Sequence, residues 1–463
     1  MDEIIPDKIF DYLSKEKAEY ADIRLLKNYD LRLGLRSYSS DVSENSSNQV
    51  IVRVLFDKGW GIASADISED IFEKKLWEVA ENALQQARAS TSVSIREKKI
   101  ELAETKVITD YFHHPIKNDL REISCAEMLA LLKNLNDIVK KNLKDDFAWS
   151  ETVIDYSITQ SDFSNTEGTN IVEIVPNIDL TIYVVAKRFG YEVASDIIGG
   201  IGGFEILQSV NLENWANIVS ERVKCMLHAK HAPLEVKTKK IPVIFDQCTA
   251  SAFIHECVGH QVEADVILES GTILSKKLGC LVADEEVIVI DDPLFQSGYG
   301  SYKYDDEGVP ANKTTIIERG RLNSLLHTRW TAKEFGHEPK GNAHGISHVS
   351  RSLMSNLYLE PVDWSFEEMI EDISLGIYVA GLQRGVAESF AGRFEIIPET
   401  AFLIKKKRIV SPIKNIRIRG FMLKALMSID AIGKDFRLTP SSEKGFCIGN
   451  GAPSIRVQNL SIL

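Results

Sequence analysis

The spacing of apolar residues changes period repeatedly along the chain. In NQVIVRVLFDKGWGIASAD, residues 48–66, two β-rich runs flank Asp57-Lys58-Gly59, which predicts a hairpin. Phe72, Leu76, Val79, Ala80, Ala83, Leu84 and Ala87 then recur at helical spacing, giving one stripe to set against a core. Asp110–Glu122 (DYFHHPIKNDLRE) breaks the pattern and reads as a linker, with His113 and His114 as surface residues. An amphipathic helix follows in AEMLALLKNLNDIVKKNL. From Val153 to Asp196 apolar and polar residues alternate, rich in β-branched and aromatic types, as in an antiparallel meander. Ile197–Glu205 (IIGGIGGFE) has neither the GxGxxG nor the GxxxxGK[ST] spacing, so flexible backbone is expected there rather than a phosphate cradle. A further helix ends near Pro233. A short apolar strand, IPVIF, leads directly into another helix, and after Ser270 strand patterns dominate.

These elements predict an α+β protein. Two N-terminal mixed α/β units, residues 1–112 and 120–232, precede a β-dominated C-terminal domain, residues 236–463, with one embedded helix. A chain of 463 residues exceeds one ordinary core, which also argues for several domains. The 44% hydrophobic and 26% charged fractions are those of a soluble globular protein. No apolar run approaches the roughly 20 residues of a membrane span, and the N-terminus lacks the form of a secretory signal. A cytoplasmic location without membrane association is the expectation. A net charge of −13 argues against nucleic acid as a partner. The basic run LIKKKRIV, residues 403–410, reads as a charged turn between strands. Six cysteines form no CxxC pair, so they read as reduced thiols, most of them buried.

The embedded helix carries FIHECVGHQVEAD, residues 253–265. A zinc hydrolase needs neutral imidazoles, a coordination position open to water and a carboxylate to take that water's proton. His255, Glu256 and His260 supply two ligands and a base. The histidines are five residues apart, which on a regular helix sets them about 140° apart around the axis. Convergence on one ion therefore requires a helix defect. A π-bulge at Gly259 is the expected form. Cys257 is a rival sulfur ligand, but it points away from His255 and reads as core. His344 and His348 are candidates for lining a pocket, with hydrogen-bonding or surface roles the favoured reading. Asp305, Asp306 and Glu307 read as a structural turn near the cleft, since three consecutive carboxylates seldom face one cation.

The segment HECVGHQVEAD is very similar to the signature of the TldD side of the TldD/PmbA family of modulator-of-gyrase-type metalloproteases. YKYDDEGVPANKTTIIERGRL, GNAHGISHVSRSLMSNLYLEP and the N-terminal GWGIAS also resemble family segments, with Leu353 departing from the usual Arg-Met order. The likeness spans nearly the whole chain and is strongest from about Ile241 onward. It implies one Zn2+ per chain, held by the two motif histidines and a C-terminal cysteine. In GFCIGNGAP that cysteine is Cys447, although the Gly-Lys that usually follows is absent. An alternative alignment sets Ile432–Asp435 in that slot. The resemblance also implies a peptidase of short or unfolded peptides, with Glu256 as general base. It further implies a dimeric chamber, formed with a second copy or with a PmbA-like sister subunit lacking the motif. A non-catalytic peptide-binding partner and a zinc hydrolase of non-peptide amides are the competing classes.

Overall fold

The computed structural model describes residues 7–37, 39–68, 72–93, 99–345 and 349–463. The first half is organised on one seven-stranded sheet. Tyr20–Arg36 and Ser39–Phe56 pair along their whole length. Gly59–Asp66 extends one side of this pair; on the other, Phe147–Asn165 joins Tyr20–Arg36 and Asn170–Lys187 follows. That last strand is long enough to take two neighbours, Thr109–His113 near its start and Tyr191–Ile201 further along. The two N-terminal units therefore share a sheet.

They keep separate apolar clusters. Leu76, Val79, Ala80, Ala83, Leu84 and Ala87 of the helix Phe72–Val93 bury against Ile23, Leu25, Val50, Val52 and Val54. The helices Cys125–Leu143 and Leu212–Met226 cover the far end of the sheet through Leu132, Leu135, Val219 and Val223. Two expectations are corrected. The stretch read as a linker contains a strand, Thr109–His113, and the His114 imidazole is held by Glu173 at 2.8 Å. Residues 197–201 continue a strand that is paired to its end, so the first glycines of IIGGIGGFE lie in a sheet. In both places strand pairing satisfies a backbone whose local pattern is poor in β signals.

The C-terminal half contains a closed ring of five strands. Lys240–Phe245 runs parallel to Leu375–Glu388; antiparallel pairings continue through Arg393–Lys405, Ile418–Phe421 and Ile455–Ile462, then back to Lys240–Phe245. The run LIKKKRIV turns at Lys406-Lys407 between paired strands. A second, six-stranded sheet contains Asn356–Leu359 and the last hairpin, Arg437–Glu443 with Phe446–Ala452. The helix Gln247–Cys257 is buried between these two layers. Phe253 stacks on Phe245 and meets Phe394 edge-on, with ring centroids 5.6 and 5.1 Å away. Eight of its eleven residues are buried, the pattern of a helix enclosed on all sides. Asp246 caps its start, accepting from the Thr249 amide at 2.8 Å and the Gly381 amide at 3.0 Å. The motif helix is thus fixed at its N-terminus and along its length. Among the described residues, no helix is long and apolar enough to cross a membrane.

Candidate metal centre

The helix stops at Cys257. Val258 leaves helical geometry (φ −123°, ψ −54°), and Gly259–Gln261 form a single 3-10 turn. This break replaces the expected π-bulge. A Cβ on Gly259 would lie 2.1 Å from Met354 Sδ, so the absence of a side chain there lets Met354 pack against the turn. The turn returns His260 to His255. Their Nε2 atoms are 3.1 Å apart, and the rings stand at 84° to each other.

The far side of each ring decides what the near side offers. His255 Nδ1 faces Asn450 Oδ1 at 3.1 Å, and His260 Nδ1 faces Glu263 Oε1 at 3.2 Å. An acceptor behind Nδ1 keeps the proton there and leaves the Nε2 lone pair free. Two free lone pairs 3.1 Å apart repel unless a cation lies between them. Two nitrogens on one tetrahedral zinc are about 3.3 Å apart, so the pair has the separation and tautomers that a zinc ion requires.

Carboxylates surround the pair. Glu256 offers an oxygen within 4.8 Å of a ligand atom on each histidine. It faces Gly385, where an added Cβ would come 2.8 Å from Glu256 Oε1. Glu443 Oε2 lies 3.7 Å from His255 Nε2. Contact with His255 lowers the Glu443 pKa; burial opposes this, and His260 and Lys444 add to it. Burial works against a charged His260, but the hydrogen bond and charge of Glu263, together with the charges of Glu256 and Glu443, raise that pKa. Lys444 Nζ in turn reaches Glu263 Oε2 at 2.8 Å, tying the last hairpin to the motif. Asp265 ties the other side, accepting from the Ser352 amide at 3.2 Å and from Arg351 at 3.1 Å.

The structure brings His255, Glu256 and His260 together but does not bring Cys447 to them. Lys444 and Gly445 both have positive φ, 52° and 87°, the geometry of a tight two-residue turn. That turn pairs Glu443 with Phe446 and Ser442 with Cys447. Side chains alternate along a strand, so Asn450, which meets His255, and Cys447 point to opposite faces. Cys447 instead meets the Tyr299 hydroxyl. It lines a cavity of about 230 Å³ with Tyr299, Tyr302, His344 and Asp306. Although the residue is exposed, desolvation by the surrounding protein pushes its thiol pKa up.

Cys257 is fully buried in the core. His344 is also buried, against Tyr302 and Phe446, and so is not a surface residue; His348 lies outside the described residues. The three consecutive acids serve separate partners. Asp305 accepts from the Glu307, Val309 and Ala343 amides, Asp306 pairs with Arg24, and Glu307 accepts from the Arg329 amide. Sequence reasoning missed Glu443 and Asn450. The Lys-Gly turn followed by strict alternation was the signal that could have found them.

Residues 238–463 match the model of the PmbA/TldA metallopeptidase C-terminal domain, and residues 118–227 match that of the central domain. The chain is 33% identical to a metalloprotease of Methanocaldococcus jannaschii, over 95% of this chain and 96% of that protein. It is 26% identical to a zinc metalloprotease of Saccharolobus solfataricus, a TldD homologue, over 98% and 99% of the two. Its fold is similar to that of TldE from Thermococcus kodakarensis, with a TM-score of 0.79, 19% identity and coverage of 98% and 99%. The chain belongs to the PmbA/TldD family of metallopeptidases.

Proposed function

We propose that this chain is a zinc-dependent peptidase in which His255 and His260 hold one metal ion and Glu256 is the general base. The observation that carries this reading is the convergence of two imidazole lone pairs, each fixed by an acceptor behind its ring, beside a carboxylate. Bound there, zinc supplies Lewis acidity: it polarises a carbonyl and brings the pKa of water towards neutrality. Glu256 takes the proton from the attacking water and passes it to the departing amine. Gly385, with no side chain, leaves the Glu256 carboxylate room to move between these positions. Asn450 and Glu263 hold the imidazoles in their working tautomers. The substrates are short or unfolded peptides admitted to a dimeric chamber, formed by two copies or with a PmbA-like sister subunit. The full-length likeness to the fold of TldE supports a partner of that kind. The test is Glu256→Gln: zinc content stays at one per chain while cleavage of unstructured peptides is lost. Cleavage by that variant at the parent rate defeats the assignment of the base.

A further inference from the structure

We infer that Glu443, rather than Cys447, is the third protein ligand of the metal, so that the site is a two-histidine, one-glutamate set. This rests on the reading that zinc sits between His255 and His260.

Glu443 is the last residue of the strand Arg437–Glu443, and its Oε2 is 3.7 Å from His255 Nε2. Two donors on one tetrahedral zinc lie about 3.3 Å apart. Its separation from His255 Nε2 is therefore close to the spacing of two donors on one ion. Among the described residues, no other group lies within ion-pair distance of this carboxylate. Its side chain is 25% exposed, and its ion-pair partner is His255.

The hairpin that carries Glu443 is anchored to the histidines at two further points. Asn450 meets His255 on one strand, and Lys444 in the turn meets Glu263, the acceptor behind His260. The groups that orient both imidazoles thus also fix the position of the carboxylate, as expected where ligands and their supports form one assembly.

Cys447 has the opposite geometry. It stands across from Ser442 on the other face of the hairpin. Turning it towards the histidines needs a one-residue slip of the strand, which exchanges the faces of every side chain on it. Ile448, now 1% exposed, would leave the core, and Asn450 would leave His255. Two histidines and a glutamate with an open position are also a known donor set for catalytic zinc.

The test uses the full chain loaded with zinc, read by X-ray absorption at the zinc edge and by chelator competition. The expected first shell holds only nitrogen and oxygen at about 2.0–2.2 Å, with no sulfur at about 2.3 Å. Cys447→Ser leaves the spectrum and the affinity unchanged. Glu443→Ala weakens zinc binding at least tenfold with the thermal melt of the metal-free protein unaltered. Glu443→Cys regains affinity and adds a sulfur scatterer. A sulfur signal in the parent chain that Cys447→Ser removes overturns the inference, as does full affinity in Glu443→Ala. Failure of the underlying reading shows elsewhere, with Glu443 and Cys447 both intact: the parent chain takes up no zinc, or His260→Ala binds it as tightly as the parent.

Discussion

Among the described residues two pairs of histidines touch, and only one has the arrangement we propose to hold a metal. His255 and His260 have ring centroids 4.6 Å apart at 84°; His327 and His337 have centroids 5.0 Å apart at 81°. The difference lies behind the rings. In the first pair Asn450 and Glu263 occupy both Nδ1 atoms, so two lone pairs face each other. In the second, His327 Nε2 and His337 Nδ1 are 2.9 Å apart, one donating to the other, and His327 Nδ1 meets the Thr331 hydroxyl. Burial, then His337 and Lys340, push the His327 pKa down to about 3. No acid contributes to that shift, whereas Glu263, Glu256 and Glu443 all act on His260. Proximity of two imidazoles does not make a metal site. On the reading proposed above, the acceptors that fix their protons and the carboxylates that favour positive charge do.

The largest contrast is therefore in metal content. His255→Ala or His260→Ala abolishes zinc binding by plasma emission analysis, and His337→Ala leaves one zinc per chain. Equal losses in both pairs would show that the second pair also carries metal. Next, Glu256→Gln lowers kcat on an unstructured peptide by about 10²–10⁴-fold with zinc retained. Gly385→Ala acts on the same group more weakly. Its Cβ displaces the Glu256 carboxylate, so kcat falls while zinc content and melting temperature stay near those of the parent. Unchanged turnover in Gly385→Ala would mean that Glu256 does not work from its position beside that glycine. Smaller again is Asn450→Ala, which frees the His255 tautomer and weakens zinc binding about 10–100-fold, measured by chelator competition.

Local features of the sequence were legible where the physics is local. The stripe from Leu76 to Ala87 is buried as its spacing requires. The five-residue separation of His255 and His260 required a helix defect, and one is present. Its kind was not legible from local spacing, and the side chain packed against Gly259 belongs to Met354, nearly a hundred positions away. The five-strand ring was equally hidden: its closing contacts join Lys240–Phe245 to Leu375–Glu388 and Ile455–Ile462. Cys447 shows a different limit. The family resemblance pointed to Cys447, but the turn at Lys444-Gly445 sets which residues of the hairpin share a face, and by that register Glu443 and Asn450 lie on one face and Cys447 on the other. The resemblance implied one ligand, and strand parity supports the other that we propose.

The mildest prediction concerns the pair without carboxylates and leaves the metal untouched. In the unfolded chain His327 takes up its proton near the ordinary histidine value of about 6.5; in the folded chain it does so only near about 3. Between these values the unfolded state binds more protons, so stability falls as pH falls. The contribution is fully present above about pH 6.5 and is lost towards pH 3, by at most about 1.4 kcal/mol per pH unit. Several buried acids, Asp291 and Asp305 among them, have pKa values raised to about 7. They bias total stability the other way, so the parent curve alone does not isolate His327. The informative quantity is the difference between the parent and His327→Gln, which has no titrating group at that position but keeps hydrogen-bonding capacity towards Thr331 and His337. From urea unfolding at pH 7.5 and pH 5.0, the parent should lose about 2 kcal/mol more than the variant, while both bind zinc equally at pH 7.5. Parallel losses would mean that His327 is protonated in the folded chain, and the second pair would then differ from the first in position but not in proton chemistry.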